Sequence, residues 1–211
     1  MINIEKVNVG DMGVNCYIVT DRETGKTAVV DPGGMSRKFE MVLEDVGYDN
    51  IEYILLTHCH FDHIGGVERL RANGAGRAKV VLHEAEKDMI TDPHRNLSQP
   101  MTGRDIRNVV PDILVKDGDK LPLGSSTITV MHTPGHTPGC VCYIIDDSIF
   151  SGDTLFYRSA GRTDFSGGSI SDMKKSLLKL AALDGDFDVY PGHDLKTKLS
   201  DERAKNPYIC H

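Results

Sequence analysis

Residues 57–63 read THCHFDH, three histidines and an aspartate crowded directly behind the apolar run IEYILL. In an extended segment successive side chains alternate faces, so His58 and His60 point one way and Cys59 the other. Two imidazoles on one face can hold one cation. Asp62 and His63 fall where the chain turns into the next helix, so they can aim at a second point nearby. Without a cation, four ionisable groups behind an apolar strand would repel and desolvate one another. Imidazole mixed with carboxylate suits zinc, iron, manganese or nickel. Cys59, on the opposite face, is outside this chemistry.

Three later stretches follow the same grammar. HTPGHTPG presents His136 in a turn between prolines, SGDTLF presents Asp153 just after a short apolar run, and VYPGHD presents His193 after another. In each, a strand stops, a turn-forming residue bends the backbone, and one ligand-type side chain is offered. Loops at strand ends are where sites are assembled.

The rest of the chain reads as strands mixed with helices. Strands are expected at 2–9, 16–20, 27–30, 51–56, 79–82, 126–131, 141–145, 148–150 and 187–190. Ser36 caps a helix whose Phe39, Val42, Leu43 and Val46 share one face, and Gly47 ends it. A helix carrying Val67 and Leu70 follows the motif and stops at Gly74, and a short one is expected over 84–90. Ser169 or Ser171 caps another bearing Met173, Leu177, Leu180 and Ala181, and a last helix runs over 200–205. Residues 91–111 hold three prolines and no period. They read as loop with one helical turn, a plausible wall for a substrate cleft. No linker or low-complexity tract divides the sequence, so a single domain over 1–211 is expected, an α+β or layered α/β arrangement.

These residues together resemble the metallo-β-lactamase superfamily, whose signature is His-x-His-x-Asp-His followed by a separate His, an Asp and a final His. The resemblance spans essentially the whole chain. It implies a four-layer αββα sandwich with the site at one edge between two sheets. It also implies that His58, His60 and His136 hold a first metal, that Asp62, His63 and His193 hold a second, and that Asp153 bridges them. Asp31, in VVDPGG, matches a position that braces such sites; as a bare sequence feature it is equally a turn aspartate. The cofactor expected is a pair of divalent metal ions, zinc first, with iron or manganese as alternatives.

The stretch GDTLFYRSAGRTDFSGG and the terminal DERAKNPYI resemble the short, single-domain relatives of glyoxalase II, the hydroxyacylglutathione hydrolases. That branch implies hydrolysis of a small-molecule thioester such as an S-acylglutathione by a metal-bridging hydroxide, with Asp62 orienting it or carrying its proton. Arg162 matches a basic position of the branch and either grips a substrate carboxylate or ties a loop. Thr163 and Asp164 depart from the full-length pattern, and no counterpart of the C-terminal helical domain of full-length enzymes is expected after the last ligand. The rival resemblance is to persulfide dioxygenases, in which His58, His136 and Asp153 would hold a single iron. A lactonase would use the same metal set, and a non-catalytic metal-binding module is the alternative from another class.

The formal net charge of −7 argues against a nucleic-acid partner. The N-terminus has no basic start followed by a long apolar stretch, so neither export nor a membrane partner is expected. Five cysteines without paired spacing read as free thiols in the cytoplasm. His83 and His94 read as helix and loop residues, His132 as packing beside the site, and Tyr157 and Arg158 as bordering the substrate. Oligomeric state is left open.

Overall fold

The computed structural model describes residues 1–210; His211 lies outside them. A first sheet contains β1 (Ile2–Val9), β2 (Val14–Asp21), β3 (Thr27–Val30), β4 (Ile51–Leu55), β5 (Lys79–His83) and β6 (Ile113–Val115), side by side in chain order. β1 to β3 pair antiparallel, and β3 to β6 pair parallel. The parallel crossovers carry helices α1 (Arg37–Val46), α2 (Phe61–Ile64) and α3 (Val67–Leu70), then α4 (Ser98–Thr102).

The second sheet holds β7 (Lys120–Leu123), β8 (Ser126–His132), β9 (Val141–Ile145) and β10 (Ser148–Gly152). A two-stranded hairpin, β11 (Leu155–Phe156) and β12 (Ser159–Ala160), leads to helix α5 (Ile170–Ala181). The chain then returns as β13 (Asp188–Pro191) and β14 (Thr197–Lys198) and closes with α6 (Leu199–Lys205). The spatial order is β14-β13-β10-β9-β8-β7, with β10 and β13 parallel.

Three apolar clusters account for the layers. Tyr17, Val19, Val30, Leu55 and Val81 of the first sheet meet Ile128, Val130, Tyr143, Ile145 and Phe150 of the second. On the outer face of the first sheet, Cys16, Ile18, Val29 and Ile54 pack with Phe39 and Leu43 of α1 and with Ile64, Val67 and Leu70. On the outer face of the second, Cys142, Ile149 and Val189 pack with Met173, Leu177 and Leu180 of α5 and Leu199 of α6. This is the αββα sandwich. It explains why β2 and β3 are buried along nearly their whole length, since both faces are covered.

Local chemistry sets the helix ends. The Ser36 hydroxyl accepts the Phe39 N–H, and Gly47, at φ 83°, closes α1 by donating to the Leu43 carbonyl. Ser169, rather than Ser171, caps α5 through the Asp172 N–H. Other expectations need correction. The helix expected after the motif is two four-residue helices, α2 and α3, followed by a widened turn over Arg71–Ala75 with Gly74 at φ 136°. The helix expected over 84–90 is one tight turn, Glu84–Glu86. β6, β7, the β11–β12 hairpin and β14 were not expected. The turn-rich stretch KDGDKLPLGS, residues 116–125, contains β7, an edge strand that tolerates Pro122.

Candidate metal centre

The site lies where strands of both sheets end. His58, His60, Asp62 and His63 follow β4, His136 lies between β8 and β9, Asp153 follows β10, and His193 follows β13. A register shift between Phe150 and Gly152 interrupts the pairing of β10 with β13 just before Asp153; such irregularities re-aim the next side chain. Gly192 lets the β13 loop close on the site, since a Cβ there would lie 2.5 Å from Asp153 Oδ1 and 2.7 Å from His63 Cε1. Asn15 and Tyr17 hold the same loop. The Asn15 amide donates to the carbonyls of Pro191 and Asp194, and the Tyr17 hydroxyl donates to Pro191 at 2.6 Å.

The structure brings all seven sequence-expected residues together, in overlapping groups: His58 with His60 and His136; His58 with His63 and Asp153; Asp62 with His63 and His193. His60 Nδ1 lies 3.1 Å from His58 Nε2 and 2.8 Å from His136 Nε2. His193 Nε2 stands 3.3 Å from Asp62 Oδ2. Asp153 lies between the two sets, its Oδ1 at 3.4 Å from His63 Nε2 and its Oδ2 at 3.6 Å from His136 Nε2.

The outer hydrogen bonds decide which ring atoms face inward. His136 Nδ1 donates to the Arg162 carbonyl at 2.7 Å, and His63 Nδ1 donates to the Asp31 carboxylate at 3.0 Å. Asp31 also accepts the Thr57 N–H and hydroxyl, which leaves the Thr57 oxygen free to accept from His58 Nδ1 at 3.2 Å. With these nitrogens committed as donors, the Nε2 lone pairs of His58, His63 and His136 point at one another's space. Asp31 is therefore a brace, seated at φ 50°, which a short polar residue tolerates.

The donor set fits divalent cations. His63 Nε2 and Asp153 Oδ1 are buried with no hydrogen-bond partner, and His60 Nδ1 converges with the Nε2 atoms of His58 and His136. Converging lone pairs of this kind repel unless a cation lies between them. Electrostatics divides the site. Burial, then neighbouring imidazoles, pushes His58 well below its ordinary value. Burial and His136 push His60 down to about 3. Burial works against the charged forms of His63, Asp62 and Asp153 too, but their mutual attraction wins: His63 is raised and both carboxylates are lowered.

A cleft of about 410 Å³ opens over these groups, walled by Met12, Leu97, Met101, Phe156 and Phe165. Leu97 and Met101 belong to the stretch expected as a wall. Its one helical turn is α4, and the Asn96 side-chain amide ties it down by donating hydrogen bonds to the carbonyls of Ile90 and Ile106. Arg162 lies on the rim. Its guanidinium pairs bidentately with Asp164 at 2.7 Å per bond and covers the Phe165 ring at 4.1 Å. Tyr157 and Arg158 do not line the cleft; the Arg158 N–H donates to buried Glu202. His132 stacks on His83 at 4.0 Å and donates to the Pro138 carbonyl, a packing role. Within DERAKNPYI, Glu202 also binds Thr197 and Asn206, and Arg203 caps the carbonyls of Ala181, Leu183 and Gly185, so these three residues hold structure. Asn15, Tyr17 and Thr57 escape sequence reasoning because their partners come from other strands.

Residues 9–193 match the metallo-beta-lactamase superfamily. The chain belongs to that superfamily. An uncharacterised superfamily relative from Mycobacterium leprae is 37% identical, covering 95% of each chain. A hydroxyacylglutathione hydrolase of Haemophilus influenzae is 30% identical over 99% of this chain and 98% of its own. The human mitochondrial persulfide dioxygenase is 29% identical over 92% of this chain and 70% of its own. Among solved superfamily members, the B3 metallo-beta-lactamase BLEG-1 superposes with a TM-score of 0.88 at 33% identity, covering 99% of this chain and 100% of its own. TTHA1623, crystallised in a di-iron-bound form, gives 0.83 at 31% identity, covering 97% and 99%.

Proposed function

We propose that this superfamily member is a metal-dependent hydrolase that cleaves a thioester such as an S-acylglutathione. The observation that carries the reading is the pair of donor triads meeting at Asp153 beneath an open cleft. His58, His60 and His136 would hold one cation, Asp62, His63 and His193 the other, and Asp153 would touch both. Bound divalent cations supply a water of lowered pKa and a Lewis acid for the substrate carbonyl.

The chain's own groups do the rest. Asp62 faces the cleft with its side chain 14% exposed and its Oδ2 toward His193. It orients the attacking water and takes its proton. Phe156, Phe165, Leu97 and Met101 shield the thioester from bulk solvent. Arg162 stands at the mouth, where a substrate carboxylate would exchange with Asp164 on the guanidinium fork. Water adds to the acyl carbon, the C–S bond breaks, and acid and thiol leave. A thiolate departs without a strong general acid, because a thiol pKa is only about 8.5. The full-length match to a hydroxyacylglutathione hydrolase supports this substrate class.

The test is elemental analysis of purified protein, followed by turnover of S-lactoylglutathione and simpler thioesters with zinc restored. Two metal equivalents with thioester cleavage and no oxygen uptake are expected. One tightly held iron with oxygen consumed on a glutathione persulfide would overturn the reading in favour of persulfide dioxygenation.

A further inference from the structure

Glu86 is wholly buried and forms no ion pair among the described residues, whereas its neighbour Glu84 is exposed and meets Lys116. The tight turn after β5 places the Glu86 carboxylate between two loops that sequence separates widely. Its Oε2 accepts the Cys59 N–H at 3.0 Å, and its Oε1 accepts the Gly139 N–H at 2.8 Å. Cys59 lies between His58 and His60. Gly139 lies three residues beyond His136, and a Cβ there would stand 2.5 Å from Glu86 Cγ. One carboxylate thus grips the backbone of both loops that carry the triad His58, His60 and His136.

A buried carboxylate without a cationic partner costs several kcal/mol unless hydrogen bonds compensate it. Here both compensating donors are backbone amides of ligand-bearing loops. Asp31 contacts the other triad directly, through the His63 ring, and reaches His58 only by way of the Thr57 hydroxyl. We propose that Glu86 is a positioning residue that sets the spacing of the His58–His60–His136 triad before any metal arrives, as Asp31 orients His63 of the other triad. The inference rests on the ligand assignment proposed above.

Two measurements test it. In metal-free wild-type protein, amide exchange followed by NMR should show the Cys59 and Gly139 N–H groups protected. If both exchange freely and become protected only after zinc is added, the metal holds the loops and the inference falls. In Glu86→Gln, one amide faces an NH2 donor and loses its acceptor. Titration with Co²⁺ distinguishes a site of three imidazoles from one of two imidazoles and a carboxylate by absorption. The first should lose roughly 10–100-fold in affinity while the second keeps its own. Equal weakening of both sites, or none, would overturn the proposal. If Glu86→Gln does not fold, the amide-exchange result on the wild type decides. Wild-type protein that binds neither Co²⁺ nor zinc would overturn the ligand assignment instead.

Discussion

Among the described residues, Asp153 is the one carboxylate within reach of imidazoles from both triads, with His63 on one oxygen and His136 and His193 on the other. Its replacement therefore disturbs both proposed cation positions. Asp153→Ala is expected to lower turnover by more than ~100-fold, beyond the usual cost of losing an outer hydrogen-bond partner, and to remove much of the metal. Wild-type turnover and metal content in that variant, by steady-state assay and elemental analysis, would refute the bridging role. At this scale the seven donors were legible because HCHFDH is dense and the later three follow in matching turns. What sequence did not show is which nitrogen of each ring faces inward. That depends on the Arg162 carbonyl, Asp31 and Thr57, which no local spacing encodes. The Arg162 side chain illustrates the same limit: its position was legible, but not its engagement with Asp164 two residues on.

Elements with a strong period or a cap were readable, as α1 and α5 show with Ser36 and Ser169. Short elements were not. β6 has three residues and β14 two, so neither offers alternation to detect. They exist because a neighbouring strand supplies the hydrogen-bond partners. Turns likewise gain their strength from distant partners. Asp21, buried at the end of β2, accepts from Thr24 in its own turn and from Ser125 in the turn between β7 and β8. These hydrogen bonds, Ser125 first, hold its carboxyl well below the usual range. The folded pKa is lower than the unfolded value of about 3.9, so the contribution is complete above that pH. It is lost as pH falls toward the folded value. Urea unfolding of the metal-free protein should therefore show stability declining below about pH 4, and Asp21→Asn should flatten that decline. An unchanged acid profile in the variant would show that Asp21 does not link the two turns electrostatically.

Across the whole molecule, the two sheets bring strand ends that are far apart in sequence to one edge. β4 delivers four donors, and β10, β13 and the β8–β9 loop deliver one each. Cations that bind this assembled site and not the unfolded chain stabilise the fold by mass action. At 100 times the dissociation constant the gain is about 2.7 kcal/mol. For a chain of this length that corresponds to roughly 5–10 °C in melting temperature. Chelation should lower Tm by about that amount, and added zinc should restore it. A melting temperature indifferent to chelator and zinc would mean that the donors do not bind metal in the folded protein.

The sequence by itself determined which seven residues are candidate donors, the capped helices and the longer apolar strands. These depend on residue type and on spacings of a few residues. Only the tertiary structure decided ring orientation, the buried carboxylates Asp31 and Glu86 that hold loops together, and the parallel neighbours of β3 to β6. Each of those is a contact between segments tens of residues apart, and its energy appears only when both partners have been buried together.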